Sequence, residues 1–535
     1  MLTQDRPRSQ LAEERHLRKR LSTFDLVILG IFGAAGTGLM FSQEGMAAAA
    51  GPGLIISWII GGIIFLALGL TFAELSIAHP EAGAPSRFSL YTHGRFTNII
   101  NAFADLLWYL FIPPIEALAV VEGLSFFYPG FISATGTPTL SGAGLGVVLL
   151  LLFIPFNYFG LSVFRGSNFV VGAIKGVLFF AVAIGLMALY FNRSNFSSYG
   201  GFAPLGFAGI FTAIPLAMFA YGGIRAVPDY AEESSRPGKM TRAIVITVLG
   251  QVFFYLLFAV AFVAGINWTS LNISVGSWAS VGNITGNPFV ALVNSTGGGI
   301  LLSLVIALAV VSPFMTGWVY MGAGSRVLFA MGRSRVVSPA MKEIHRVYAI
   351  PYLSLIAFGI VGAIVAFLAA PVPTIYGIIT DAVVAGYLGF LVQPVAAVVA
   401  RRQGVIKNRV PGINIAAPVG FAGASLIVYW SGWPSVPYSV AIVAIAVALF
   451  SIVFRVGSHF RRSAWYLANI AWLTIMSYIG SVGALDTMSF EVSSALVVIV
   501  SLAVFFPWGI YSGLRQEFHL EELSVPPAGP AAAGQ

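Results

Sequence analysis

Runs of about twenty apolar residues recur along almost the whole chain and constrain its fold more than any other feature. Each run is long enough to cross the hydrocarbon core of a bilayer as an α-helix. Of the 535 residues, 58% are hydrophobic and 9% are charged, whereas about a quarter of a soluble domain is charged. The sequence therefore predicts an all-α, polytopic membrane protein. The fourteen predicted spans are residues 24–49, 54–78, 97–125, 142–160, 168–191, 209–233, 242–266, 299–330, 351–370, 374–400, 413–431, 437–455, 464–484 and 490–514.

Several classes of function are disfavoured by what the chain lacks. It has no cysteine, so it forms no disulfide, no thiolate nucleophile and no cysteine-ligated metal site. Its six histidines fall in tails, in loops or at the ends of predicted spans, and no GxxxxGK[ST] phosphate-binding loop is present. We therefore expect no metal, no cofactor and no catalytic residues. The surplus of eight positive charges is spread over short loops, which indicates membrane topology and no nucleic-acid partner.

The basic residues indicate how the chain is oriented in its membrane. With the N-terminus placed inside, 25 of the 28 lysines and arginines lie in the tails and the inner loops. The outer loops hold only Arg193, while Lys175 and Arg225 lie within spans. Positive charge accumulates on the cytoplasmic side of membrane proteins. We therefore predict a multi-pass protein of the plasma membrane, with both termini in the cytoplasm.

Glycosylation sequons agree with this orientation. Asn-x-Ser/Thr triplets lie in the two longest outer loops, and glycosylation of these loops would place them outside the cell. The six sequon asparagines are Asn192, Asn195, Asn267, Asn272, Asn283 and Asn294.

Two predicted spans contain glycine clusters. The first reads DLVILGIFGAAGTGLMFSQEGMAAAA and the sixth reads FTAIPLAMFAYGGIRAVPDYAEE. A glycine costs about 1 kcal/mol relative to alanine inside a helix, so a cluster indicates either close helix packing or an interrupted helix. Interruptions at corresponding positions, first and sixth, indicate a five-plus-five inverted repeat with a substrate site near the midplane. The two repeats would cover residues 24–191 and 209–400.

The polarity of the two interrupted helices predicts the kind of substrate. The first span runs outward, so its second half, beginning near Gly38, directs free amide groups at the membrane centre and suits a carboxylate. The sixth span runs inward, so its first half, ending near Phe219 and Ala220, directs unpaired carbonyls at the same region and suits an ammonium group. Donors for a carboxylate that face acceptors for an amine describe an α-amino acid.

Three segments resemble the amino acid–polyamine–organocation (APC) superfamily of permeases. They are GAAGTGLMF at 33–41, FAYGGIRAVPDYAEESSRPGKMTRAI at 219–244 and SRVLFAMGRSRVVSPAMKEIHRVYAIP at 325–351, and the resemblance covers roughly residues 22–400. It implies a LeuT-like fold with discontinuous first and sixth helices. It also implies that Gly36, Thr37 and Gly38 hold the substrate carboxylate, while Phe219, Ala220 and Tyr221 supply carbonyls and an aromatic lid. The full set of expected substrate-binding residues is Ala34, Ala35, Gly36, Thr37, Gly38, Phe219, Ala220, Tyr221, Gly222 and Gly223.

The chain is therefore expected to have four parts. Residues 1–21 form a basic cytoplasmic tail, and residues 22–400 form the ten-helix transporter core. Residues 401–514 add four further membrane helices, for which the sequence indicates no function, and residues 515–535 form a cytoplasmic C-terminal tail.

Lys175 lies within the fifth predicted span, where an ammonium group is expensive to bury. The resemblance implies that this lysine occupies the position that sodium fills in sodium-coupled relatives, which predicts a proton-linked or sodium-replacing role. The alternative is a lysine whose ammonium group reaches the inner interface. Replacement of Lys175 by alanine distinguishes the two.

Other charged residues within spans are candidates for coupling or gating. Arg225 departs from the superfamily, in which many members carry glutamate or a neutral residue at this position. It either pairs with a carboxylate of the chain or receives an acidic substrate side chain. Glu116 is a candidate proton carrier, and Asp381 a candidate for approaching the site. The carboxylates proposed as partners of Arg225 are Asp229, Glu116, Glu44 and Asp381.

These features favour a secondary transporter that moves an amino acid by alternating access, with a proton as the coupling ion or by exchange. A polyamine or other organocation is the nearest alternative substrate, although Arg225 argues against a polycation. A channel or sensor explains the two interrupted helices poorly. An intramembrane enzyme would need a catalytic dyad or a metal, and no such set is apparent. The expected partners are the amino acid, a proton and the lipid bilayer, and the sequence identifies no partner subunit.

Overall fold

The computed structural model describes residues 17–134, 136–370, 384–407, 409–456 and 460–515. All the regular secondary structure in this part of the chain is helical, and β-pairing is limited to isolated bridges. Eleven of its helical stretches are long and apolar enough to cross a membrane, as expected of a multi-pass membrane protein. The count of fourteen spans stays a prediction. Long helices in chain order are Leu54–Ala78, Arg95–Leu124, Leu140–Tyr158, Leu161–Tyr190, Met240–Gly265, Gly299–Arg333, Tyr352–Ala369, Val384–Arg402, Ile413–Trp430, Ser435–Val453, Phe460–Ile479 and Phe490–Leu514.

The first predicted span consists of two helices. Thr23–Gly33 begins with a capping box, in which Ser22 and Asp25 bond each other's backbone amides, and its last five residues are wound as a π-helix. Three non-helical residues follow, and the second helix, Thr37–Ala50, begins after Gly36. The glycine cluster therefore marks a real interruption of the helix.

The sixth predicted span is also divided, but less deeply. Helices Gly206–Thr212 and Ile214–Ala220 are followed by a turn at Tyr221 and Gly222, and then by Gly223–Asp229. The amides of Arg225 and Ala226 both bond the carbonyl of Gly222, so the chain resumes its helix within one turn. Close packing requires Gly223, since a Cβ atom there would meet the carbonyl oxygen of Gly30 in the first span. The two interrupted spans therefore touch near their interruptions.

Packing places these two spans at the centre of the bundle. Gly299–Arg333 lies along Arg95–Leu124, and Met240–Gly265 packs against Leu54–Ala78. The later helices pack on the outside of this group: Ile413–Trp430 contacts Leu54–Ala78, and the buried imidazole of His93 bonds the carbonyl of Gly509 at 2.9 Å. Large apolar side chains such as Ile300 and Val177 are exposed on the surface of the bundle, as expected for surfaces that face lipid.

One sequon proves to be structural. Asn195 is buried, and its amide group donates to the carbonyls of Val263 and Ile266 at 2.8 and 2.9 Å. Its carbonyl oxygen accepts a bond from Trp268 at 2.9 Å. In the folded protein Asn195 is therefore not an available glycosylation acceptor, contrary to expectation, and modification of the other outer-loop sequons stays a prediction.

Candidate functional site

The interruption of the first span holds a carboxylate supplied by the protein itself. The amide of Thr37 donates to both carboxylate oxygens of Glu116, at 3.0 and 3.1 Å, and the Thr37 hydroxyl adds a third bond at 3.0 Å. Glu116 is buried and follows the proline pair at 113–114 in helix Arg95–Leu124. Glycine at position 36 lets this carboxylate approach the backbone, because a Cβ atom there would collide with it where it now lies. The N-terminus of helix Thr37–Ala50 is thus a carboxylate cradle that is occupied by Glu116.

The other side of the same interruption holds a cation. The Lys175 ammonium group is buried and donates to the carbonyl of Phe32 at 2.6 Å, to the carbonyl of Ser312 at 3.0 Å and to the hydroxyl of Thr316 at 3.2 Å. The Ser312 hydroxyl in turn donates to the carbonyl of Ala35 at 2.8 Å. Lys175 therefore does not reach the interface, because its buried ammonium group bonds a carbonyl at the end of the first helix and two oxygens of helix Gly299–Arg333.

The interruption of the sixth span presents a carbonyl that is already partnered. The carbonyl of Ala220 accepts bonds from the hydroxyl of Tyr255 and from the side-chain amide of Gln251, the latter at 3.3 Å. Tyr221 turns away, since its hydroxyl donates to the carbonyl of Trp58 at 2.8 Å and its ring packs on Trp58. In this conformation Tyr221 is a core residue, and the expected aromatic lid is not formed by it. The side chain of Phe219 lies outside the described residues.

Arg225 pairs with a residue that the sequence analysis did not name. Its Nη2 atom lies 2.5 Å from Oδ1 of Asp105, and both side chains are fully buried. Nη2 also donates to the carbonyl of Gly386 at 2.9 Å, and the guanidinium group packs over the rings of Phe390 and Trp108, at 4.3 and 5.2 Å from their centroids. Among the described residues, Nε and Nη1 of Arg225 have no hydrogen-bond partner. Within the described part of the chain, the buried guanidinium group therefore keeps two donors that no protein group accepts.

Comparison with known proteins identifies the family. A family model described as "Amino acid permease" matches residues 21–476. The chain is 30% identical to the aspartate-proton symporter of Bacillus subtilis over 524 residues. These residues span 94% of this chain and 98% of that protein. It belongs to the amino acid permease family. Two other Bacillus subtilis proteins are similar: the glutamate/serine transporter AimA is 28% identical over 94% of this chain and 95% of its own length, and the branched-chain amino acid permease BcaP is 24% identical over 83% and 94%.

Membership of this family confirms the resemblance to APC permeases that the motifs indicated. The permease transports amino acids across a membrane, as its family and the proteins similar to it indicate. Both interrupted helices fall within the matched residues.

Two of the predicted coupling residues, Glu116 and Lys175, lie beside the interruption of the first span. Glu116 contacts Gly36 and Thr37, and Lys175 bonds the carbonyl of Phe32 next to the same interruption. A Cβ atom at Gly222 would meet the hydroxyl of Tyr320. Asp381 lies outside the described residues. Among the described residues, no group of three or more histidine, aspartate or glutamate side chains could hold a metal ion.

Two functional candidates of the permease were missed by sequence reasoning. Asp105 pairs with Arg225, and the hydroxyl of Tyr109 bonds the carboxylate of Asp229. A signal for both was present, because positions 105, 109 and 116 are separated by four and seven residues and so share one helix face. The carboxylate of Glu116, already a candidate, identified that face.

A cluster of ion pairs lies at the predicted inner end of the permease. Glu233 accepts two bonds from Arg326, at 2.6 and 2.7 Å, and Glu232 accepts two from Arg333, at 2.6 and 3.2 Å. The amides of Arg20 and Leu21 both bond the carbonyl of Glu233 at 2.9 Å. The two glutamates thus form buried ion pairs and tie the N-terminal segment to the end of the sixth span.

The two glutamates of this cluster have opposite pKa shifts. Burial raises the pKa of Glu233, against the lowering effect of Arg326. Burial also raises the pKa of Glu232, but the hydrogen bonds and charge of Arg333 and the amides of Ala82 and Leu17 outweigh it, so the pKa of Glu232 lies below its usual value.

Proposed function

We propose that this permease is a sodium-independent symporter that carries an amino acid and a proton into the cell by alternating access. In this proposal the core has a LeuT-like, five-plus-five inverted repeat, lies in the plasma membrane and has both termini in the cytoplasm. The substrate binds between the interruptions of the first and sixth spans. The name of a similar protein, the aspartate-proton symporter, supports the choice of a proton as coupling ion.

One observation carries the proposal: the cradle at Gly36 and Thr37 already binds a carboxylate, that of Glu116. The α-carboxylate of an amino acid offers the same oxygens to the same donors. For the substrate to bind there, Glu116 must leave, and two carboxylates cannot share the cradle because like charges repel strongly in a medium of low dielectric constant. A proton on Glu116 removes its charge and weakens its bonds to the Thr37 donors. Proton binding and substrate binding are therefore linked at one position.

Lys175 supports independence from sodium. Its ammonium group is bound by two carbonyls and a hydroxyl next to the interruption, which are oxygen ligands of the kind that a sodium ion takes in discontinuous membrane helices. A tethered cation at this position supplies the positive charge that external sodium supplies elsewhere.

Arg225 supports an acidic side chain on the substrate. Its buried Nε and Nη1 donors have no hydrogen-bond partner among the described residues, and a guanidinium group binds a carboxylate through two parallel bonds. Two of the similar proteins are named for aspartate and for glutamate with serine. We therefore propose aspartate and glutamate as preferred substrates, with polyamines excluded by the buried positive charges.

Uptake by the purified protein in liposomes tests the proposal. Labelled aspartate, glutamate, leucine and putrescine are compared with an inward pH gradient, with a sodium gradient and with neither. The proposal predicts accumulation of aspartate and glutamate under the pH gradient, no effect of sodium and no uptake of putrescine. Accumulation driven by sodium, or uptake of putrescine in preference to amino acids, would contradict it.

A further inference from the structure

A groove opens on the outside of the bundle, where the first span begins and the fifth span starts. It has a volume of about 430 Å³, and its lining includes Arg20, Phe24, Leu161, Ser162, Arg165 and Phe169. It lies at the end of the molecule that the distribution of lysine and arginine assigns to the cytoplasm. None of its lining residues belongs to either helix interruption, and the transport mechanism proposed above does not use the groove.

Two guanidinium groups at this groove each make only one hydrogen bond to another described residue. Arg20 is exposed and donates from Nη1 to the hydroxyl of Ser162 at 3.2 Å. Arg165, 53% exposed, donates from Nε to Oδ1 of Asp25 at 2.8 Å. The other oxygen of Asp25 is taken by the amide and hydroxyl of Ser22, at 2.8 and 2.7 Å. Since an arginine has five N–H donors, most donors of both groups have no partner among the described residues, and the lining, with Arg20, Arg165 and Asp25, has a net positive charge.

The walls of the groove suit hydrocarbon. Phe24 and Phe169 are 58% and 53% exposed, and their ring centroids lie 6.3 Å apart. On the same helix as Phe169, Val163 and Val170 are also exposed. Apolar side chains of this size, next to charged groups at the end of a membrane helix, are expected where the acyl chains of a leaflet meet its headgroups.

We propose that this groove binds an anionic phospholipid of the cytoplasmic leaflet. The phosphate lies between the guanidinium groups of Arg20 and Arg165, and an acyl chain lies against Phe24 and Phe169. Guanidinium groups bind phosphate through paired, charge-assisted bonds, and basic residues at this level attract anionic lipids. A zwitterionic lipid brings its own cation to the same phosphate and so gains less from the two arginines.

Native mass spectrometry of the full chain in detergent tests this site. Phosphatidylglycerol and phosphatidylcholine with the same acyl chains are titrated onto wild type, onto Arg20→Gln/Arg165→Gln and onto a control, Arg402→Gln/Lys407→Gln. The control removes two exposed basic residues from the same predicted side of the membrane. We expect the Kd of the tightest phosphatidylglycerol site to rise by about tenfold or more in the groove variant. Phosphatidylcholine binding, and the binding of both lipids to the control, should not change.

Three results would overturn the proposal. One is phosphatidylglycerol binding to the groove variant as tightly as to wild type. Another is equal binding of the two lipids to wild type. The third is displacement of bound phosphatidylglycerol by millimolar inorganic phosphate, which would identify a site for free anions. Arg20→Lys/Arg165→Lys separates charge from folding, because it keeps both charges and should retain the preference for phosphatidylglycerol. Loss of that preference in the lysine variant would also contradict the proposal.

Discussion

The two helix interruptions of this permease differ in what occupies them. In the first span three residues leave the helix, and the exposed amide end is bound by the carboxylate of Glu116. In the sixth span the chain resumes its helix within one turn, and the carbonyl of Ala220 is bound by Tyr255 and Gln251. The protein's own groups thus occupy both the place proposed for the substrate carboxylate and the place proposed for its amine.

The difference lies in chemistry. A carboxylate can be removed from its donors by a proton, whereas a phenol and a carboxamide bind in the same form across the physiological pH range. The first interruption is therefore the end at which proton binding can control substrate binding. The second can select for an amine but has no titrating group among its direct partners Tyr255 and Gln251 near neutral pH. Our predictions test this asymmetry.

The largest effect is expected from Lys175→Met. The ammonium group bonds three acceptors next to the first interruption, and a bond to a charged group contributes about 1.5–3 kcal/mol. Uptake should fall by about a hundredfold or more, a factor that corresponds to about 2.7 kcal/mol. The measurement is initial uptake by liposomes containing equal amounts of folded protein, with the exposed Lys239→Met as control. Equal uptake by the two variants would show that the cation at this interruption is dispensable.

Arg225→Gln in the background of Asp105→Asn should change specificity. The paired substitution avoids leaving a buried carboxylate without its cation, which would destabilise the fold. The KM for aspartate should rise by about tenfold or more, the value of a charge-assisted bond, while leucine transport should change little. Competition of each amino acid against the same labelled substrate measures the ratio. An equal change for both amino acids would mean that the pair is only structural.

Tyr255→Phe should have a smaller effect in the opposite direction. It removes a hydroxyl that competes with the substrate amine for the carbonyl of Ala220, and a neutral hydrogen bond contributes about 1 kcal/mol. The KM should therefore fall by up to about fivefold, while the pH profile of uptake stays unchanged. A shifted pH profile would remove the distinction between the two interruptions.

The smallest effect is expected from Glu232→Gln and concerns the stability of the fold in acid. It tests a carboxylate that lies outside both helix interruptions. The pKa of Glu232 lies below its usual value because of Arg333 and two backbone amides. Its contribution to stability is therefore complete above the pKa of the unfolded chain and is lost as pH falls through the lower pKa of the folded state. The Tm of Glu232→Gln should fall less steeply than that of wild type between about pH 5 and pH 3. A steeper fall of Tm in the variant would contradict a lowered pKa of Glu232 in the folded protein.

The interruption of the first span was predictable because its cause is local. Gly36 and its neighbouring glycines weaken a helix wherever they occur, and their place near the start of an outward-running span gives the polarity of the free amides. Lys175 was also predictable, since an ammonium group within an apolar run requires partners.

The occupants of the site were harder to predict because they come from distant parts of the chain. Glu116 lies 79 residues from Thr37 in sequence, and no local pattern states that its carboxylate enters the cradle. Arg225 and Asp105 are farther apart in the sequence than Glu116 and Thr37, and the sequence analysis assigned Arg225 to other carboxylates. Tyr255 and Gln251 are uncharged, so nothing in the sequence distinguished them from other residues of the predicted spans. The acceptor that they bind, the carbonyl of Ala220, was predicted.

The most direct test of the account is the behaviour of Glu116→Gln in liposomes. Exchange of labelled for unlabelled aspartate, without a pH gradient, is compared with accumulation under an inward pH gradient, and Glu122→Gln on the same helix is the control. We expect Glu116→Gln to retain exchange, to lose accumulation and to show uptake independent of pH, while the control behaves as wild type. Accumulation by Glu116→Gln with the pH dependence of wild type would contradict it.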